Sequence, residues 1–371
     1  MKKLLIILFG LTEIFFAQEK INPQILSKAV HIYYKMHTKS VKSISPQLWE
    51  NKIFICSNSG KVACIDSAGR EFWKRDLSAD IVTSPLPTDG YVTVGTSSGD
   101  IISLIAHTGE QLQSIGVDDS VTTDLLLLKY EGDQELFLPK QSNSKSSLVF
   151  GTAKGSLICL DLETLQEYWH NNDSKGRISG DPLFVQNKIL FSSADGFLYS
   201  IDSRSGLMNW RWKESENTNF SNAKIISDGK KIYAVSNDFR LYCLDLLLGK
   251  LIWKTDIPGL HSSIAITGDK KNIIAKSDDR RILLFSADKG NLAKQIKSDE
   301  PFDSAATNII EQNGKIIYSN DNAVYMINNK FKTEKIMEFG GEKVNFLFSA
   351  GDKKLLAATS AGTIVLFGIK E

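Results

Sequence analysis

The chain has 371 residues, 42% of them apolar and 23% charged, an ordinary globular composition that excludes disordered and collagen-like classes. Lys plus Arg number 44 against 43 for Asp plus Glu, and the balance stays even without residues 1–17. A neutral chain with no run of five like charges makes no overall electrostatic case for nucleic acid or an anionic membrane, and leaves only local patches open.

Residues 1–17 have the layout of a secretory signal peptide. Lys2 and Lys3 are the basic start, Leu4 to Phe9 the apolar run, and Phe15-Phe16-Ala17 precede the polar Gln18. Glu13 inside the apolar segment, and Phe15 where a small residue is usual, leave an uncleaved anchor as the alternative. No Cys stands near the junction, so lipoprotein processing is not expected. Export to the periplasm or the extracellular space follows. Residues 18–28 read as a linker and 29–371 as one repeating unit.

The repeat is clearest at 188–210, KILFSSADGFLYSIDSRSGLMNW. Ile189 and Phe191, then Phe197, Tyr199 and Ile201, are strand formers separated by the turn residues Ala194-Asp195-Gly196. Asp202 closes the second strand with an Asx-type turn, Ser205-Gly206 follows, and Trp210 is a large apolar anchor. Positions equivalent to Gly196 fall at Gly60, Gly99, Gly155, Gly196, Phe239, Arg280, Asn322 and Gly362, at intervals of 39, 56, 41, 43, 41, 42 and 40 residues. A period near forty built from short strands predicts an all-β, eight-bladed β-propeller of four-stranded antiparallel blades.

Within a repeat the strands run A to D from inside to outside, as in Lys224–Ile226, Lys231–Ser236, Arg240–Asp245 and Lys250–Lys254. Trp73, Trp169, Trp210 and Trp253 share one register in strand D, while Leu112, Leu292 and Ile336 in copies two, six and seven predict weaker fastening there. The last copy ends after its strand C. Residues 29–36, AVHIYYKM, with Tyr33 in the Trp register, are expected to pair with Thr363 to Phe367 as the missing outer strand and close the ring. The 56-residue interval carries an insertion at about 130–146, read either as a tolerated surface loop or, through Leu136-Phe137-Leu138, as a partner-binding one.

The segments ILFSSADGFLYSIDSRSGLMNW, IYAVSNDFRLYCLDLLLGKLIW and LVFGTAKGSLICLDLETLQEYW resemble the repeat of PQQ-like (pyrroloquinoline-quinone-type) β-propellers. So do Ser45-Pro46, Ser84-Pro85 and Asp181-Pro182, each entering an inner strand fourteen residues before the turn Gly. The resemblance covers about residues 29–370. Its enzymatic members imply a quinone in the central channel, commonly over a vicinal disulfide, with Ca²⁺ held by Glu and Asn and an Asp base. This chain has no adjacent Cys pair, is shorter than those enzymes usually are, and shows no Glu/Asn/Asp set distinct from turn acids.

No catalytic, cofactor-binding or metal-binding residue is therefore assigned, and no cofactor is expected. The BamB-like, non-enzymatic branch implies a protein-binding scaffold of the bacterial cell envelope, acting in assembly of outer-membrane β-barrels, monomeric and without a membrane span in the mature chain. The alternatives are a PQQ-dependent quinoprotein dehydrogenase and a secreted interaction propeller with an unrelated partner.

Cys64, Cys159 and Cys243 stand four residues after a turn anchor, where Ser103 and Ser200 occupy other copies, and read as packing thiols. Cys56 and Cys64 lie symmetrically about Gly60, so a disulfide between them stays open. His31, His37, His107, His170 and His261 fall at unrelated repeat positions and define no metal or triad order. Asp118-Asp119 and Asp278-Asp279 read as turn pairs, and Arg280-Arg281 either as a solvated turn or as a receptor for an acidic partner.

Overall fold

Short runs of β-branched and aromatic residues bounded by turn residues give strands, and among the described residues every regular element is one. The computed structural model describes residues 23–27, 30–37 (backbone only from 32), 46–66, 70–129, 146–298, 302, 309–328, 330–350 and 354–370. The signal-like segment 1–17, Ser45 and the insertion 130–145 lie outside the described residues.

The strands form eight antiparallel sheets, each ordered A-B-C-D. In blade four these are Leu183–Val185, Lys188–Ser192, Leu198–Asp202 and Met208–Trp212. The A strands of neighbouring blades touch, which places them around the central axis. Within each blade the A–B and C–D turns share one face, tied by bonds such as Ser203 N–H to Asn187 O (2.9 Å) and Leu246 N–H to Lys230 O (3.0 Å).

Ring closure is as the sequence predicts. The eighth blade takes Val30–His37 as its outer strand, paired with Thr363–Ile369 from Val30 opposite Ile369 to His37 opposite Thr363. The anchor falls one residue later than expected: after a bulge like the one before Trp169, Tyr34 rather than Tyr33 stands opposite Leu366, as Trp169 stands opposite Cys159. Blade seven departs from the four-strand pattern, because Gln24–Ile25, within the stretch read as linker, pairs with the outer edge of Thr333–Glu338. Its B–C turn is also tighter than in other copies, and the residue with positive φ is Asp321 (51°), one before the expected Asn322.

Blades are fastened by a Trp of one and a Gly of the next. Trp73, Trp169, Trp210 and Trp253 lie against Gly109, Gly206, Gly249 and Gly290, and a Cβ at any of these glycines would overlap the indole. Three indoles also donate to the adjoining turn, to Ala106 O (3.0 Å), Ser203 O (3.2 Å) and Leu246 O (3.1 Å). At the fourth junction the corresponding carbonyl, Ala287 O, accepts instead from Lys231 Nζ and Tyr233 Oη, both at 3.2 Å.

Two of the three junctions expected to be weak, those after blades two and six, are refilled from the other side. Strand D of blade two places Gln113, and that of blade six Lys294, at the register of the Trp. The next blade then carries Leu165 or Phe331 where Gly would stand, both at positive φ (56° and 60°). Leu165 is buried among Ile115 and Val117, and Lys294 Nζ lies 2.9 Å from the centroid of the Phe331 ring. Close packing demands a nearly constant volume at each junction, so a small residue on one blade is matched by a large one on its neighbour.

The four cysteines are free and buried. Cys64, Cys159 and Cys243 each pair in register with Trp73, Trp169 and Trp253, as Ser200 does with Trp210, which makes this slot the small partner of the indole. Cys56 sits opposite Val62 and Cys64 opposite Phe54, so the two thiols belong to one core without forming a disulfide. Burial pushes the Cys64 thiol up to about 11 and those of Cys159 and Cys243 to about 12, which removes their nucleophilic form at neutral pH.

Candidate functional site

The innermost strands bring one repeat position of each blade to the central channel. It lies two residues before the strand A residue paired with Thr93, Val149, Leu190 or Tyr233, and is Ser84, Asp124, Asp181 or Lys224 in blades two to five. These residues form a chain across blade boundaries. Ser84 donates its N–H to Asp124 Oδ1 (2.6 Å) and its hydroxyl to Oδ2 (2.9 Å), and the Asp124 N–H donates to Asp181 Oδ1 (2.8 Å).

Lys224 lies next in the ring. It is enclosed by the surrounding blades yet open to the channel, so water reaches it while protein still lowers its local polarity. That enclosure lowers its pKa, and the attraction of Asp181 works in the opposite direction. Asp124 is pushed up to about 6 by burial and then by the charge of Asp181, with the Ser84 donors opposing. Both carboxylates serve as acceptors between blades, and the neighbouring ammonium disfavours a cation, so the chain works as an inter-blade staple.

A pH dependence follows. A solvated Asp releases its proton near ~3.9, whereas folded Asp124 holds it to about 6. The folded state binds the extra proton between those values, and stability should rise by about 1 kcal/mol as pH falls from about 7 to about 5. Asp195, Asp202 and Asp228 are shifted down, burial notwithstanding, by their turn hydrogen bonds, and their contribution is lost only below the usual carboxylate range. Thermal midpoints of the wild type and Asp124→Asn across this range check it: the wild type should gain and the variant stay flat. Equal slopes would sink the assignment.

On the face formed by the B–C turns, a cleft of ≈ 330 Å³ lies between blades five and six, lined by Asn222, Asn237, Phe239, His261 and Asp278 among others. Phe239 holds φ 60° where blades one to four have Gly, and is 55% exposed. Its ring is an apolar lip on a cleft whose wall carries His261 Nε2 2.9 Å from Asp278 Oδ1. Arg281 beside it is neutralised by Asp279 and donates to Gln295 Oε1 (2.6 Å), and Arg280 occupies the turn position at φ 67°. The volume suits a side chain or short peptide segment, and the mixed lining suits a polypeptide.

The histidines stay scattered: His107 lies on a C–D turn, His170 pairs with Glu167 (2.6 Å) on strand D of blade three, and His261 lies on strand A of blade six. Asp119 accepts from the Lys154 N–H (2.7 Å) across a blade boundary, a turn role as expected. Among the described residues no group of three or more His, Cys, Asp or Glu could hold a metal ion, and no helix is long and apolar enough to cross a membrane.

Sequence reasoning singled out Ser84 and Asp181 but missed Asp124 and Lys224. Lys224 lies fifteen residues before Phe239, as Asp181 does before Gly196, so the register alone could have found it. Asp124 is hidden because the insertion separates it from Gly155.

A family model described as outer membrane protein assembly factor BamB matches residues 32–124 and 138–330, on both sides of the insertion. The outer membrane protein assembly factor BamB of Burkholderia pseudomallei is 23% identical over 287 residues, covering 72% of this chain and 68% of its own. The crystal structure of BamB from Moraxella catarrhalis superposes with a TM-score of 0.74 at 17% identity, over 92% of this chain and 98% of that one. The quinohemoprotein alcohol dehydrogenase of Comamonas testosteroni gives 0.69 at 13% identity, over 92% and 76%, and shares the fold. With its eight PQQ-like blades and a match over most of its length, the chain belongs to the BamB family of β-propellers.

Proposed function

We propose that the protein is a non-catalytic, protein-binding scaffold of the bacterial cell envelope with a BamB-like role in assembling outer-membrane β-barrels. The observation that carries this reading is the family match on both sides of the insertion. The chemistry of the chain supports it: the shifted acids serve turns and the channel staple, and the thiols are packed against indoles. The cleft beside Phe239 supplies the surface, with an aromatic lip and polar walls of the kind protein partners use. In this reading the chain is exported, its first 17 residues being a signal peptide, and it works as a monomer toward one or more protein partners.

The test is a photo-crosslinking residue in place of Phe239, expressed in the native host, followed by identification of the adducts. Components of the barrel-assembly machinery are expected, and recovery of none would overturn the assignment. In parallel, purified protein should neither bind pyrroloquinoline quinone with Ca²⁺ stoichiometrically nor reduce a dye with it. Doing both would establish the dehydrogenase alternative.

A further inference from the structure

We infer that the rim of blades four and five, on the face of the A–B and C–D turns, is a docking surface for an anionic lipid bilayer. This proposal stands apart from the assembly role and lies on the opposite face from the Phe239 cleft.

The two residues at the tip of each C–D turn are polar in the other blades compared: His107-Thr108, Glu163-Thr164, Arg204-Ser205 and Asp288-Lys289. In blade five they are Leu247-Leu248, each 63% exposed. Leu207, directly after the turn of blade four, is 70% exposed, and Met208, Leu251 and Ile252 extend the apolar surface along the D strands. The two blades are joined beneath it by Trp210, which lies on Gly249 and donates to Leu246 O (3.1 Å). None of these six side chains supports the core, and an exposed apolar cluster of this kind marks an interaction surface.

The charges around it are sorted by the turn chemistry. Asp202 Oδ1 accepts the N–H groups of Arg204 (3.1 Å) and Ser205 (2.9 Å), and Asp245 Oδ1 those of Leu247 (2.9 Å) and Leu248 (2.7 Å). Asp228 Oδ1 likewise accepts from Lys230 and Lys231, both at 2.7 Å. These carboxylates keep their charge but are half-buried against their own turns' N–H groups, whereas Lys230 and Lys250 beside the leucines are exposed. A chain that is neutral overall thus presents a local surface of leucines and cations, the combination that partitions into the boundary of an anionic bilayer.

Main-chain chemistry favours a bilayer over an added protein strand at these tips. The N–H groups of Leu246, Leu247, Leu248 and Gly249 are all consumed, by Lys230 O, by Asp245 Oδ1 twice, and by Asp245 O (2.9 Å). The turn offers side chains without free backbone donors, and an apolar, anionic surface needs no directional partner.

Co-sedimentation of the purified full chain with vesicles tests the proposal. Mixed phosphatidylglycerol–phosphatidylcholine vesicles should bind it about ten-fold more strongly than pure phosphatidylcholine at low salt, and added salt should weaken the binding. Leu247→Ser with Leu248→Ser should lower the partition coefficient by about ten-fold with an unchanged thermal midpoint, since both side chains are exposed. Lys230→Glu with Lys250→Glu should bring anionic binding down to the neutral level. Absence of binding to the anionic vesicles, or binding indifferent to both pairs of substitutions, would overturn it. Concentration-dependent dimerisation that the leucine variant abolishes, without vesicle binding, would also overturn it and assign the rim to a second copy of the chain.

Discussion

Deleting residues 18–37 is expected to abolish the single cooperative unfolding transition and lower stability by at least about 5 kcal/mol. The deletion removes the outer strand Val30–His37, whose pairing covers the whole edge of Thr363–Ile369. Ile364, Val365, Leu366 and Phe367 are buried in that strand and would lie on an open edge, and blade eight would lose the outer strand from which the chain runs on into blade one. Val30 is itself part of the core shared by blades seven and eight. A propeller gains its stability from each blade packing on two neighbours, so an unclosed ring loses more than one strand's contacts. The same deletion removes Gln24–Ile25 from the edge of blade seven, but a two-residue pairing on an exposed edge contributes little by comparison. Calorimetry of the truncated chain checks the expectation, and an unchanged midpoint would refute the closure.

The repeat was legible because it is built from local chemistry. A turn Gly at positive φ, an Asp that accepts its own turn's N–H groups, and a Trp at a fixed distance are properties of a few consecutive residues, and Asp202, Gly206 and Trp210 take the places their spacing predicts. What stayed hidden is relational. The channel staple joins Ser84, Asp124 and Asp181 across three blades, forty and fifty-seven positions apart, and nothing local to Asp124 marks it as buried beside a second carboxylate. Gln113 and Lys294, by contrast, were within reach of a residue count, since each lies fourteen residues after its turn residue, as Trp169, Trp210 and Trp253 do, and the bulge before the anchor is common to those blades. The Leu247-Leu248 tip was visible as letters, yet it reads as core until the fold shows that the turn carrying it faces solvent.

The complementary filling of the junctions predicts a coupled pair of substitutions. Gly249→Leu alone should cost about 3–5 kcal/mol, because the new side chain needs positive φ and would overlap the Trp210 indole. Trp210→Gln alone should cost about 3–5 kcal/mol by leaving the space beside Gly249 unfilled and Leu246 O without its indole donor. The double variant recreates the Gln113–Leu165 arrangement of blades two and three, where Gln113 Nε2 donates to Glu163 O (2.6 Å) and Leu165 fills the junction at φ 56°. It should be more stable than the sum of the single losses by at least about 2 kcal/mol, the residue being the backbone cost that Leu165 already bears. Denaturant midpoints for the four proteins measure the coupling. Simple additivity would mean that the junctions are filled independently on each side, and that the pairing of Trp with Gly, and of Gln or Lys with Leu or Phe, does not set how the blades lock.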